Sequence, residues 1–187
     1  MHSIRKLAAV AAIALVAAAA GAQSAGGFSK PGVITSIGQN SDAAIVKVLL
    51  NSKMKMDLGY NTIVKPAELG DTKTLIMVLG ASAKGLGAAG INLDQEIART
   101  EALLKQARQS GIKVIAMHTG GQNRRGASSN GLIDLVLAEA DAVIVVAAGN
   151  TDKYFDKAAR KPGVAVVETQ TIAEAGAAVQ ALFKSAQ

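Results

Sequence analysis

The sequence predicts an α/β fold: a three-layer α/β/α sandwich built on a mostly parallel sheet of five or six strands. Three observations predict it. Short apolar runs of about five or six residues recur along the chain, each ending in glycine, proline or a small polar cluster. Between them lie longer amphipathic stretches with helix-start and helix-stop signals. The strongest run, TLIMVL at residues 74–79, shows no polar alternation, as expected of a strand covered on both faces. Such alternation requires right-handed crossovers, which bring every strand's exit to one edge of the sheet. The expected arrangement is flavodoxin-like or Rossmann-like, with strand order 2-1-3-4-5.

Residues 1–22 are set apart from the fold as a signal peptide. Arg5 and Lys6 supply a positive start, residues 7–20 an alanine-rich apolar stretch, and Ala20-Gly21-Ala22 a small-residue cleavage site. A membrane anchor is the alternative, but this stretch falls short of the roughly 20 residues a spanning helix needs. Residues 23–30, rich in glycine and serine, are expected to be a disordered leader, and residues 31–187 one α/β domain. The implied location is the periplasm, with full secretion second. There is no cysteine, which excludes a disulfide framework, a thiolate metal site and a cysteine nucleophile.

The elements follow in order. Residues 33–37 form the first strand, and Asn40 or Ser41 caps a helix to about residue 52, whose buried face is Ile45, Val48 and Leu49. Residues 62–64 are the best candidate for a second strand, ended by Pro66. After the strand at 74–79 comes a loop over 80–91. Asn92 opens the clearest helix, with Gln95 completing a capping box and Ser110-Gly111 closing it. A strand at 112–117 leads into a glycine-rich loop and a short helix around residues 132–137. The strand at 142–147, a helix from Thr151 or Asp152 to about Arg160, a strand at 164–167 and a final helix capped by Thr171 complete the chain.

The rim formed by these strand exits is where ligands bind in open α/β sheets. The loop after residue 117 brings His118, Gly120, Gly121, Arg124 and Arg125 to it. Successive glycines let backbone amides converge on an anion, and arginine grips carboxylate or phosphate with parallel hydrogen bonds. Ser36, Gln39 and Ser41 add neutral donors from the first strand's exit, and Lys84, Gly85 and Gly87 a glycine-rich flap. A solvated arginine pair is the structural alternative.

Residues 85–90, GLGAAG, match the dinucleotide fingerprint G-x-G-x-x-G, but four residues separate them from the end of the preceding strand. The acid expected at the end of the next strand is absent, so no cofactor is assigned. Lys84 precedes Gly85, the wrong order for a phosphate-binding P-loop. His118 is the one histidine outside the signal segment and lacks cysteine or histidine partners for a zinc site, so no metal is assigned. A hydrogen bond to nearby loop backbone accounts for it equally well. Asp42 and Asp152 suit helix starts. The formal charge is +6, of which Arg5 and Lys6 supply two, leaving +4 on the remainder. With three Phe, two Tyr and no Trp, the chain lacks a stacking platform for nucleic acid.

The segments GVITSIGQNSDAAIVKVLL, TLIMVLGASAKGLGAAGINLDQEIAR and IKVIAMHTGGQNRRG resemble a family of small exported bacterial proteins known only as a domain of unknown function. The likeness rests on S-x-G-Q-x-x-D from Ser36 to Asp42 and G-G-x-x-R-R-G from Gly120 to Gly126, and spans about residues 31–183. It implies an exported α/β domain and adds no catalytic residue. The residues point to binding of a small anion without catalysis. The alternatives are a hydrolase using His118 as acid or base beside the arginines, and an accessory subunit docking on a transporter or envelope protein. Expressed in a host that exports it, the protein should begin at Gln23, an outcome that N-terminal sequencing of the released chain checks.

Overall fold

The computed structural model describes residues 27–159, 161–164 and 166–184, so the expected signal peptide and its cleavage site lie outside the described residues. Six strands form one sheet: β1 (Gly32–Ile37), β2 (Gly59–Tyr60), β3 (Thr74–Leu79), β4 (Lys113–His118), β5 (Ala142–Val146) and β6 (Val166–Thr169). Their order is β2-β1-β3-β4-β5-β6, and every pairing is parallel. The first five positions follow the flavodoxin-like order, and β6 extends it at the far edge. The helices are α1 (Asp42–Lys47), α2 (Ala83–Ala88), α3 (Leu93–Gln109), α4 (Ala127–Leu137), α5 (Tyr154–Ala158) and α6 (Ile172–Lys184). A wider π-helical segment, Val48–Lys53, continues α1.

The strands' two-residue side-chain period divides the interior into two cores. On one face Leu75, Met77 and Leu79 of β3 meet Leu103 and Leu104 of α3, Ile133 and Val136 of α4, and Phe155 of α5. On the other, Ile76 and Val78 meet Val46 and Leu50 beside α1, and Ala175 and Val179 of α6. Every β3 residue is therefore buried, which explains its unbroken apolar run. The helix from Asn92 starts as expected, with the Asn92 side chain accepting from the Gln95 N–H and Gln95 reciprocating.

Several elements differ from expectation for physical reasons. The buried face of α1 and its continuation is Ala43, Val46 and Leu50, whereas Ile45 and Val48 are each 48% exposed. Nearly every position there is apolar, so spacing alone does not choose the phase. The second strand is Gly59–Tyr60 rather than residues 62–64, since Leu58 and Met56 insert into the α1-side core and pull this stretch alongside β1. Residues 80–91 are not a plain loop, because Ser82 accepts from the Gly85 N–H and caps α2. Helix α4 begins at Ala127, five residues before the expected start, and takes up Ser128 and Ser129. Helix α5 is shorter than expected and β6 lies two residues later. Residues 28–30, placed in the disordered leader, are held on the domain. Phe28 is buried in the α1-side core, and the Ser29 backbone exchanges hydrogen bonds with the Thr74 hydroxyl.

One buried ion pair ties the sheet to α3. Glu96, fully buried, accepts from the Gly38 N–H at 2.7 Å and from the Gln39 side-chain amide at 3.1 Å. Arg99 donates to Glu96 through both Nε and Nη2 at 2.8 Å, and also to the carbonyls of Ser36 and Val64. An acid in the first turn of α3 is thus the anchor of the β1 exit, and removing it strands a guanidinium and an amide N–H without partners. Glu96→Ala should lower unfolding free energy by about 3–5 kcal/mol, measured by urea denaturation.

Candidate functional site

The β1 and β3 exits meet at the point where the chain leaves the sheet toward opposite faces, α1 on one side and α2–α3 on the other. This junction is closely packed. Gln39 and Ala81 form an antiparallel bridge, and the Asn40 amide donates to the Gly80 carbonyl at 2.6 Å while its oxygen accepts the Asp42 N–H. Gly38 has φ +95°, and a Cβ there would lie 2.4 Å from the Gly80 oxygen. A Cβ on Gly85 would lie 1.8 Å from the Gln39 carbonyl oxygen. The glycine-rich motif is thereby explained by packing: Gly85 admits the β1 turn, and Gly90, with φ +69°, lies two residues past the end of α2.

The loop after β4 lies across this junction and splits its two arginines between the faces. Arg125 turns toward α4 and α5. It donates to Asn130 at 2.9 Å, to the Gly149 carbonyl at 2.9 Å and to both oxygens of Asp152, and its guanidinium lies 3.9 Å from the Tyr154 ring centre. Its side chain is 7% exposed. This pairing holds the Asp152 carboxyl below its ordinary range. Arg124 turns the other way, toward α1. Its side chain is 37% exposed, and its Nη2 lies 3.4 Å from the Ser41 hydroxyl and 3.8 Å from Asp42 Oδ1. Gly120 makes room for it, since a Cβ there would come within 2.6 Å of both Cβ and Cγ of Arg124.

Beneath Arg124 lie polar groups without partners. Asp42 and Thr119 are each 7% exposed, and neither Asp42 Oδ2 nor Thr119 Oγ1 has a hydrogen-bond partner among the described residues. Continuing the alternation of β4 puts Thr119 on the α1 side of the sheet, with Met117. Ser36 Oγ is likewise buried and unpartnered, on the same side as Ile34. His118 faces the other way, against the Phe155 ring at 5.1 Å between centres. Its Nδ1 lies 3.0 Å from the Leu79 carbonyl, which only accepts, so Nδ1 carries the proton and Nε2 is the bare nitrogen. Burial pushes the His118 pKa down, against the pull of the Leu79 carbonyl.

The chain matches the domain of unknown function DUF6305 over residues 29–183. It belongs to that family. No curated protein and no solved structure matches it. The match covers every strand and the arginine loop of this DUF6305 domain, in agreement with the resemblance carried by the S-x-G-Q-x-x-D and G-G-x-x-R-R-G segments.

Within the DUF6305 fold the expected site residues share one rim but not one pocket. Arg124 and Ser41 meet on the α1 side with Gly120 packed against Arg124 and Asp42, whereas Gly121 lies beside Ala148 after β5, and buried Ser36 lies on the α1 face of β1. Gln39, with φ +55°, is buried and spends its amide on Thr62 and Glu96. Lys84 is exposed on the first turn of α2, and Gly87 has open space around it. A groove of about 570 Å³ between α2 and the start of α4 is lined by Leu86, Asn92, Arg125 and Ser128, but the guanidinium there is already engaged. A second groove, of about 520 Å³, lies on the outer surface of α3 and α4. Neither groove includes Arg124 or Asp42. Asp42 and Thr119 are the rim residues that the sequence reading passed over as site members. The signal for Asp42 was its position at the end of S-x-G-Q-x-x-D, immediately after a strand exit.

His118 makes stability pH-dependent with a definite sign. Its folded pKa is lowered, so below its ordinary value of 6.5 the unfolded chain takes up a proton that the folded chain refuses. Stability is full above that value and falls as the pH drops through it. The loss should grow as the pH is lowered from 6.5 to about 5.5. Urea denaturation across this window should show that component missing in His118→Gln.

Proposed function

We propose that this domain binds a small anionic ligand, a carboxylate or a phosphate, at the carboxyl rim of its sheet without transforming it, with Arg124 as the charge partner. The observation that supports this reading is the unequal use of the two arginines. Arg125 has its donors occupied and is covered by an aromatic ring, as a structural guanidinium is. Arg124 has two contacts no shorter than 3.4 Å and an open flank at the position where open α/β sheets bind ligands. An arginine held by its stem and loosely engaged at its head keeps its fork of donors for an incoming anion. Ser41, Gly120 and Gly121 supply further neutral donors beside it. A catalytic reading through His118 has less support, because that ring is fully buried on the opposite side of the sheet from Arg124. We place the binding in the periplasm, or outside the cell, on the strength of the leader at residues 1–22.

The two arginines should separate experimentally. In a thermal-shift screen of small carboxylates and phosphates, Arg124→Ala should lose the ligand-dependent stabilisation while its ligand-free melting temperature stays near that of the parent. Arg125→Ala should instead melt lower without ligand, by several degrees, because it leaves Asp152 and the Gly149 carbonyl without their donor. Ligand shifts that persist in Arg124→Ala would reject the reading.

A further inference from the structure

The partners of Asp42 narrow the ligand class, in an argument that rests on the reading of Arg124 just given. One oxygen of this carboxylate, Oδ1, faces Arg124 at 3.8 Å. The other, Oδ2, is buried and accepts from no donor. A bare carboxylate oxygen removed from water is costly, and so is the bare hydroxyl of Thr119, the residue before Gly120. Gly120 packs against Asp42: a Cβ on it would stand 3.1 Å from Asp42 Oδ2, and Thr119 immediately precedes it in the chain.

An anion gripped by Arg124 at this distance meets the Asp42 carboxylate as a neighbour of like charge. Repulsion disfavours any anion that offers only acceptors. An anion that brings its own hydrogen turns the same contact into a charge-assisted hydrogen bond to Oδ1, the carboxylate oxygen that faces Arg124. The Thr119 hydroxyl is uncharged and buried, and so does not cancel this discrimination.

We infer that the rim selects anions carrying their own hydrogen-bond donor, such as hydrogen phosphate or a small hydroxycarboxylate, and rejects sulfate and simple carboxylates through Asp42. Arg124 provides the attraction, and Asp42 demands a hydrogen. Specificity then comes from a group that opposes binding of the wrong anion.

Titration calorimetry of the full chain at pH 7 and matched ionic strength tests this with two pairs of probes, phosphate against sulfate and glycolate against acetate. The expected result is at least about tenfold tighter binding of the donor-bearing member of a pair, the scale of one hydrogen bond to a charged group. Which pair responds distinguishes a phosphate ligand from a hydroxycarboxylate one. Asp42→Asn, which offers an N–H in nearly the same shape, should bring the two members of that pair within a few-fold of each other. Asp42→Ser, which also removes the charge, should likewise erase the preference and provides a second reading should Asp42→Asn fold poorly. Equal binding of phosphate and sulfate and of glycolate and acetate by the parent, or a preference that survives Asp42→Asn, overturns the role of Asp42. Loss of all binding in Arg124→Ala in that case leaves the anion-binding reading standing. No binding of any of the four probes by the parent overturns both.

Discussion

The buried pair of Glu96 and Arg99 is the constraint on which the rim depends. A charge this deep is tolerated only when its hydrogen-bonding capacity is filled, and both members meet that condition with groups from other elements. Glu96 takes the N–H of Gly38 and the amide of Gln39, while Arg99 reaches the carbonyls of Ser36 and Val64. Helix α3, the β1 turn and the stretch leading from β2 are therefore locked to one another. The left-handed backbone at Gln39 is one that ordinary side chains avoid, and its amide is held on both sides. With the β1 turn fixed, Gly80 and Asn40 seat the β3 exit against it, and the arginine loop lies over both.

Much of this architecture was legible because some segments admit one reading. The apolar run of β3 has no polar face, and Asn92 with Gln95 three residues later marks a helix start whatever the tertiary surroundings. Other segments were legible in kind but not in phase. From Ala43 to Leu50, alanines, valines, leucines and an isoleucine occupy every position but Lys47, so the choice of Val46 over Ile45 rests on how the β1 turn delivers the helix to the sheet. β2 was illegible for a different reason. Two residues carry no periodicity, and the burial of Leu58 and Met56 that positions them is a tertiary fact.

The shared edge of strand exits follows from the parallel sheet, yet the side chains along it are apportioned differently from what the sequence suggests. Two adjacent arginines look alike in a sequence. Their fates diverge because Arg124 ends a 3-10 turn and Arg125 leaves it in extended backbone, and only the side that Arg125 reaches offers Asp152, Asn130 and the Tyr154 ring. Acids were the harder class. Asp42 and Glu96 each satisfy a local helix-start rule, and that local sufficiency masked their longer-range partners at the sheet edge.

The brevity of Gly59–Tyr60 has a consequence for the molecule in company. An all-parallel sheet must end somewhere, and its outermost strand normally displays a row of unpaired amides and carbonyls on which a foreign chain can lay a further strand. Here that margin is two residues long, too short to template a stable addition, although Tyr60 and Ile63 beside it are partly open to solvent. Truncating the border in this way leaves few open backbone groups beside four richly apolar interior strands, which limits strand addition on this side.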